Sequence, residues 1–202
     1  MLRCLLLSAS AVFTTAASAA EPAPLAITGT GVAVPVDGLE TLTIAWPVLA
    51  PKDGYSPAIA ATAQQVTGTD VKLTYPGDVT VTVRVAKDGI EYGLSDLPDG
   101  ISGLRVDASL PGAIRTGWTW VLGDKDGPFP AGMPEKPHLA QVANAAEFKL
   151  LSGGSTKLAL GMPGFSYQEL VDLREWKTNS YKWMAIFPLS TDKLSGRISI
   201  TR

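Results

Sequence analysis

The chain has one cysteine and one histidine in 202 residues. Cys4 lies inside the N-terminal apolar stretch, so it leaves with that stretch if the stretch is processed. The remainder then has no thiol and no disulfide, and a chain of about 180 residues needs no covalent staple because its core suffices. A single histidine and no remaining cysteine exclude the ordinary structural and catalytic zinc clusters, which draw on several such ligands. Nucleophilic catalysis is as poorly supplied. No Gly-x-Ser-x-Gly elbow occurs, and His138 is the only imidazole available as a base. Following Pro137 in a polar stretch, it reads as a solvent-facing or locally hydrogen-bonded loop residue. No cofactor is expected.

Charge is also sparse. There are 17 basic and 19 acidic residues; without Arg3 the balance is 16 against 19, a net charge near −3. That excess of acid argues against nucleic acid as a partner, since such affinity comes from neutralising phosphates. After the first 20 residues there is no apolar run of about 18 residues, the length needed to span a bilayer, so no integral span is expected in the mature chain.

What is present begins with a targeting signature. Met1-Leu2-Arg3 is a short basic start, and "CLLLSASAVFTTAASAA" is an uncharged run of apolar and small residues. Ala17-Ser18-Ala19 and Ser18-Ala19-Ala20 both suit signal peptidase, and Glu21-Pro22-Ala23-Pro24 breaks any continuing helix. Residues 1–20 therefore read as a signal peptide cleaved near residues 19–20. Residues 21–202 read as one domain, secreted or periplasmic. An uncleaved anchor is the alternative.

The dominant period is two. In "VTVTVRV" Val79, Val81, Val83 and Val85 face one way and Thr80, Thr82 and Arg84 the other, as in a half-buried strand. Lys87-Asp88-Gly89 makes a tight turn and "IEYGL" alternates again, so 79–95 is expected to form a β-hairpin. "LRVDASL" would bury Leu104, Val106, Ala108 and Leu110. Similar patterns occupy 41–46, 71–75, 118–122, 156–162 and 196–201, with prolines placed beside them. The expected fold is all-β, an antiparallel β-sandwich of roughly nine to eleven strands. Residues 166–176 carry a partial helical stripe, but strand plus turn fits them better. The stretch "GDKDGPFPAGMPEKPH" (123–138) reads as a long loop with four prolines and three glycines. Its Asp124 and Asp126 begin a calcium-loop pattern but lack the third ligand and the closing glutamate, so a polar turn is favoured over calcium.

The candidate site is "GFSYQELVDLREWKTNSYKW", residues 164–183. It sets Tyr167, Trp176, Tyr181 and Trp183 among Asp172, Arg174 and Glu175. Aromatic faces stack on the C–H patches of sugar rings while acids and arginine bind hydroxyls. The competing reading is core packing, which also fits Trp46 and the pair Trp118 and Trp120. Glu169, Asp172 and Glu175 could supply a carboxylate pair for glycoside hydrolysis. Arg174, Lys177, Lys182, Tyr167 and Tyr181 are residue types used in polysaccharide lysis. Exposed charge explains all of these equally well.

Trp120, Gly123-Asp124-Lys125, Pro137, Tyr167-Gln168, Asp172, Arg174-Glu175-Trp176 and Trp183, in that order, resemble the β-sandwich domains that accompany catalytic domains in secreted bacterial polysaccharide-degrading enzymes, lyases in particular. The resemblance covers residues 71–202 and implies a sandwich whose partner is a polysaccharide or oligosaccharide. It implies no catalytic residue. The functional expectation is a secreted, non-catalytic carbohydrate-binding domain for an anionic, plant or algal polysaccharide, with Tyr167, Asp172, Arg174, Glu175, Trp176, Tyr181 and Trp183 at the ligand. The alternatives are a small polysaccharide lyase or glycoside hydrolase, and a cell-envelope domain that binds a protein partner.

Overall fold

A computed structural model describes residues 23–54, 56–162 and 167–202. The targeting segment and Gly164, Phe165 and Ser166 of the candidate stretch lie outside the described residues. Two antiparallel sheets form the sandwich. The first has eight strands: β1 (Ala26–Ile27), β2 (Gly31–Val34), β3 (Leu42–Ala45), β4 (Val48–Pro51), β9 (Ile101–Pro111), β12 (His138–Ala143), β15 (Tyr167–Asp172) and β16 (Ser180–Pro188). They run in the order β1-β2-β3-β9-β16-β15-β12. The eleven-residue β9 is long enough to take β3 near its C-terminal end and β4 near its N-terminal end. Trp46-Pro47 separates those two partners, and proline has no N–H with which to continue a ladder.

The second sheet has nine strands in the order β11-β10-β13-β14-β17-β8-β7-β6-β5. These are β5 (Ala63–Thr67), β6 (Asp70–Thr74), β7 (Thr80–Ala86), β8 (Gly89–Leu94), β10 (Trp118–Leu122), β11 (Lys125–Pro128), β13 (Glu147–Ser152), β14 (Ser155–Gly161) and β17 (Ser195–Thr201). Only three short 3₁₀ turns interrupt the strands among the described residues, and no helix there is long and apolar enough to cross a membrane.

The all-β expectation holds. Val81, Val83 and Val85 of β7 meet Ile90, Tyr92 and Leu94 of β8 on the inner face, and Leu104, Val106, Ala108 and Leu110 of β9 are fully enclosed. The expected strand number is too low, because several strands are two to five residues long and lack a clear alternation. The stretch 123–138 is not one continuous loop either. Gly123, at φ 61°, turns the chain back so that β11 pairs with β10, with Val121 opposite Asp126. Asp124 and Asp126 belong to this hairpin.

Aromatic rings cross the gap between the sheets. Phe148 of β13 stacks on Trp183 of β16 with centroids 5.7 Å apart, and Tyr92 of β8 meets Phe187 of β16 at 5.4 Å. Tyr75, just after β6, is buried and donates its hydroxyl to the Pro47 carbonyl at 2.5 Å. Burial drives both the Tyr75 and Tyr92 hydroxyls well above the ordinary tyrosine pKa, so both remain protonated.

Candidate functional site

Residues 167–183 form strand, turn and strand. β15 ends at Asp172, a 3₁₀ turn covers Arg174–Trp176, Lys177 adopts the left-handed conformation (φ 61°), and β16 returns antiparallel with Asp172 opposite Tyr181. Strand alternation then divides the expected site residues. Tyr181 and Trp183 lie on the inward side of β16 and are 1% and 0% exposed. Asp172 is 1% exposed on the corresponding side of β15. None of these three offers a ligand a surface, which corrects the expectation for them. The Trp183 indole N–H donates to Gln168 Oε1 at 3.0 Å, and Gln168 Nε2 donates to the Ala145 carbonyl at 2.5 Å, so a wholly buried amide orients the ring.

Arg174 is committed to the protein. Its Nε lies 2.9 Å from Asp172 Oδ1, and its Nη2 lies 2.5 Å from Oδ2. Nη1 donates to the Ala131 carbonyl and Nη2 also reaches the carbonyls of Pro130 and Gly132, at 2.7 to 3.0 Å. The guanidinium sits 5.6 Å from the centre of the Tyr181 ring, and the Tyr181 hydroxyl donates to Pro130. Burial raises the pKa of the Asp172 carboxyl, but the hydrogen bonds and charge of Arg174 outweigh it and hold Asp172 below its ordinary value. This arrangement pins residues 130–132 against the sandwich. Glu175 and Trp176 project into solvent beyond it, Trp176 being 56% exposed.

Tyr167 belongs to a different group on the outer face of the eight-stranded sheet. Its hydroxyl donates to Glu169 Oε2 at 2.9 Å. Gln141 Nε2 reaches the same oxygen at 3.3 Å, and His138 Nδ1 lies 3.3 Å from it. Burial, then the Glu169 hydrogen bond, pushes the Tyr167 hydroxyl up to about 12, the wrong direction for a tyrosinate base. Glu169 and Asp172 stand on opposite faces of β15, three residues apart in a period of two, so they do not flank a common cleft. The described partners of His138 are Glu169 and Gln141, not a serine hydroxyl.

A second polar surface lies on the outer face of the nine-stranded sheet. An open depression of about 780 Å³ crosses β5, β6, β7, β8 and β17. Two cross-strand rows line it. In one, Thr67, Asp70, Arg84, Glu91 and Arg197 are successive register partners. Arg84 Nε holds Asp70 at 2.8 Å and Arg197 Nη1 holds Glu91 at 2.7 Å, while Arg197 Nη2 reaches Asp88 at 3.0 Å. In the second row Gln65, Lys72, Thr82, Gly93 and Ser195 are register partners. Thr82 Oγ1 donates to the Gly93 carbonyl at 3.2 Å. A Cβ on Gly93 would stand 2.8 Å from that hydroxyl, so glycine keeps the floor low where the two rows meet the hollow. Five strands at about 4.8 Å spacing make the face about 19 Å across. This face was missed in the sequence. The exposed alternation of Thr80, Thr82 and Arg84 hints at it, but its partners lie on strands remote in the chain.

No known protein family matches the chain, and no curated protein shows significant sequence similarity to it. Among solved structures it is similar to a GH31 family sulfoquinovosidase from E. rectale, determined with an aza-sugar inhibitor, at 6% identity and a TM-score of 0.47. The match covers 88% of this chain and 32% of that one. A likeness of this degree assigns neither substrate nor site.

Proposed function

We propose that this chain is an exported, non-catalytic carbohydrate-binding β-sandwich that takes a polysaccharide or oligosaccharide across the outer face of β5, β6, β7, β8 and β17. The observation that carries this reading is the open two-row polar face. Hydroxyls, an amide, carboxylates and guanidinium groups lie side by side at the spacing of the strands, and a hydroxyl-rich chain needs many such donors and acceptors at once. The ion pairs along the first row are exposed, so their outer edges stay open to water and to sugar hydroxyls. Contacts of this kind are individually weak, which sets the expected Kd at about micromolar to millimolar. Of the residues singled out in the sequence, Asp172 and Arg174 hold the domain together, while Glu175 and Trp176 stand exposed on a turn apart from this face.

Affinity electrophoresis through gels containing single polysaccharides tests the reading. Retardation is expected with at least one polymer and is weakened in the Gln65→Ala/Ser195→Ala variant, whose two side chains are exposed. Folded protein that migrates unretarded in every polymer overturns it.

A protein-interaction role has one observation in its favour. β5 is a sheet edge whose five residues are all exposed, and residues 58–69 contain no charge and no proline to block strand addition. A partner recovered by co-purification and not displaced by sugars supports that role.

A further inference from the structure

The two rows of the open face differ in what their charges have left to do. In the first, each acid already has an arginine: Asp70 has Arg84, and Glu91 has Arg197. In the second, Lys72 is exposed and has no ion-pair or hydrogen-bond partner among the described residues. Its register neighbours are Gln65 on one side and Thr82 on the other, neither of them an acid. Ser195 closes the row beyond Gly93, and the side chains of Gln65 and Ser195 are likewise uncommitted among the described residues. The row therefore presents an ammonium, an amide N–H₂ and a hydroxyl along one line, with the glycine hollow between lysine and serine.

The distribution of charge agrees. Both arginines of the face are matched, Arg84 by Asp70 and Arg197 by Glu91 and Asp88, and Lys72 is the cation without an acid. The whole chain has a net charge of −2. The most basic part of this face is the place where no protein carboxylate answers it. Donors grouped without a carboxylate fit an oxyanion, and the lysine adds a charge that a neutral hydroxyl would leave unused.

We propose that the ligand of this face is an acidic polysaccharide, and that its carboxylate or sulfate sits on Lys72 beside Gln65, with the Gly93 hollow and Ser195 further along the row under the rest of the chain. This rests on the carbohydrate-binding reading above and narrows it to charged sugars. The neighbouring row would then receive the hydroxyls of the same chain, two residues along each strand, about 7 Å away.

The test is affinity electrophoresis of the full chain in gels of polygalacturonate, a sulfated galactan and a neutral galactan. Variants Lys72→Gln and Lys136→Gln run beside it. Lys136 is exposed between β11 and β12, next to Pro137, whose carbonyl accepts the Asp172 N–H at the eight-stranded sheet, so it controls for unspecific attraction to polyanions. Retardation by an acidic polymer at least about tenfold stronger than by the neutral one is expected. It should fall about tenfold in Lys72→Gln, as for the loss of one charged hydrogen bond, and persist in Lys136→Gln. Selective retardation by polygalacturonate assigns a carboxylate, and by the sulfated galactan a sulfate. Equal retardation by neutral and acidic polymers overturns the inference and leaves carbohydrate binding standing, as does acidic-polymer binding that Lys72→Gln does not weaken. No retardation by any polymer overturns both.

Discussion

Arg174 holds Asp172 through both Nε and Nη2, at 2.9 and 2.5 Å, and at the same time gathers the carbonyls of Pro130, Ala131 and Gly132. The carboxylate is 1% exposed and the arginine side chain 13%. One side chain thus neutralises a buried charge and caps three consecutive backbone acceptors, those of residues 130–132. Arg174→Ala leaves Asp172 buried without its cation, and breaking a pair of this kind costs about 3–5 kcal/mol. Urea unfolding should show that loss, and limited proteolysis of the variant should cut first within residues 129–136. A loss below about 1 kcal/mol, with the loop still resistant, would mean the pair contributes no more than a surface ion pair.

The same pair sets an acid limit. Asp172 titrates below its ordinary value in the folded state. A carboxyl depressed on folding stabilises the protein above its unfolded pKa of about 3.9, and the contribution disappears as pH falls through the lower folded value. Tm should therefore be flat with respect to this group at neutral pH and decline below about pH 4. In Asp172→Asn the neutral-pH Tm is lower, and the acid decline is shallower by the share this carboxyl supplies. If the variant and the parent fall in parallel under acid, other groups govern the decline.

Two buried tryptophans separate the value of a hydrogen bond from the value of a ring. Trp183 Nε1 donates to Gln168, whereas Trp120 Nε1 is buried with no partner among the described residues. Tryptophan to phenylalanine removes similar volume at both positions, but Trp183→Phe also strands the Gln168 carbonyl oxygen in the core. Trp183→Phe should destabilise by about 1–3 kcal/mol more than Trp120→Phe in chemical denaturation. Equal losses would assign both effects to packing alone.

Alternation made part of this fold readable in advance. The valines of β7, the Ile90, Tyr92 and Leu94 set of β8, and the Leu104–Leu110 set of β9 each announce an inner face, because burying one side of a strand forces apolar residues to every second position. β5 carries no such mark. Its sequence AQQVT is exposed throughout, and backbone pairing with β6 makes it a strand. The candidate site was less legible for a related reason. Composition can bring Tyr167, Arg174 and Trp183 into one short stretch, but alternation sends Trp183 inward, places Tyr167 outward beside Glu169, and leaves Arg174 on a turn where backbone carbonyls take its donors. Lys72 and Ser195 become neighbours of one groove only through the register of β6, β7, β8 and β17. No spacing along the chain encodes that register.

Trp176 is the tryptophan that solvent reaches most, at 56% exposure, and it sits on the turn beyond the Asp172–Arg174 pair, remote from the two polar rows. The indoles of Trp118, Trp120 and Trp183 are enclosed, and that of Trp46 is half-buried and tied to the Gly29 carbonyl at 3.2 Å. Acrylamide should therefore quench chiefly one component of the emission, and Trp176→Ala should remove it with little change in stability, since an exposed surface substitution stays within about 0.5 kcal/mol. Binding at the nine-stranded sheet predicts that this variant keeps its retardation in polysaccharide gels and that a bound oligosaccharide leaves the quenching of Trp176 unchanged in the parent. Loss of retardation in Trp176→Ala, or protection of its fluorescence by the sugar, would move the binding surface to the 174–177 turn.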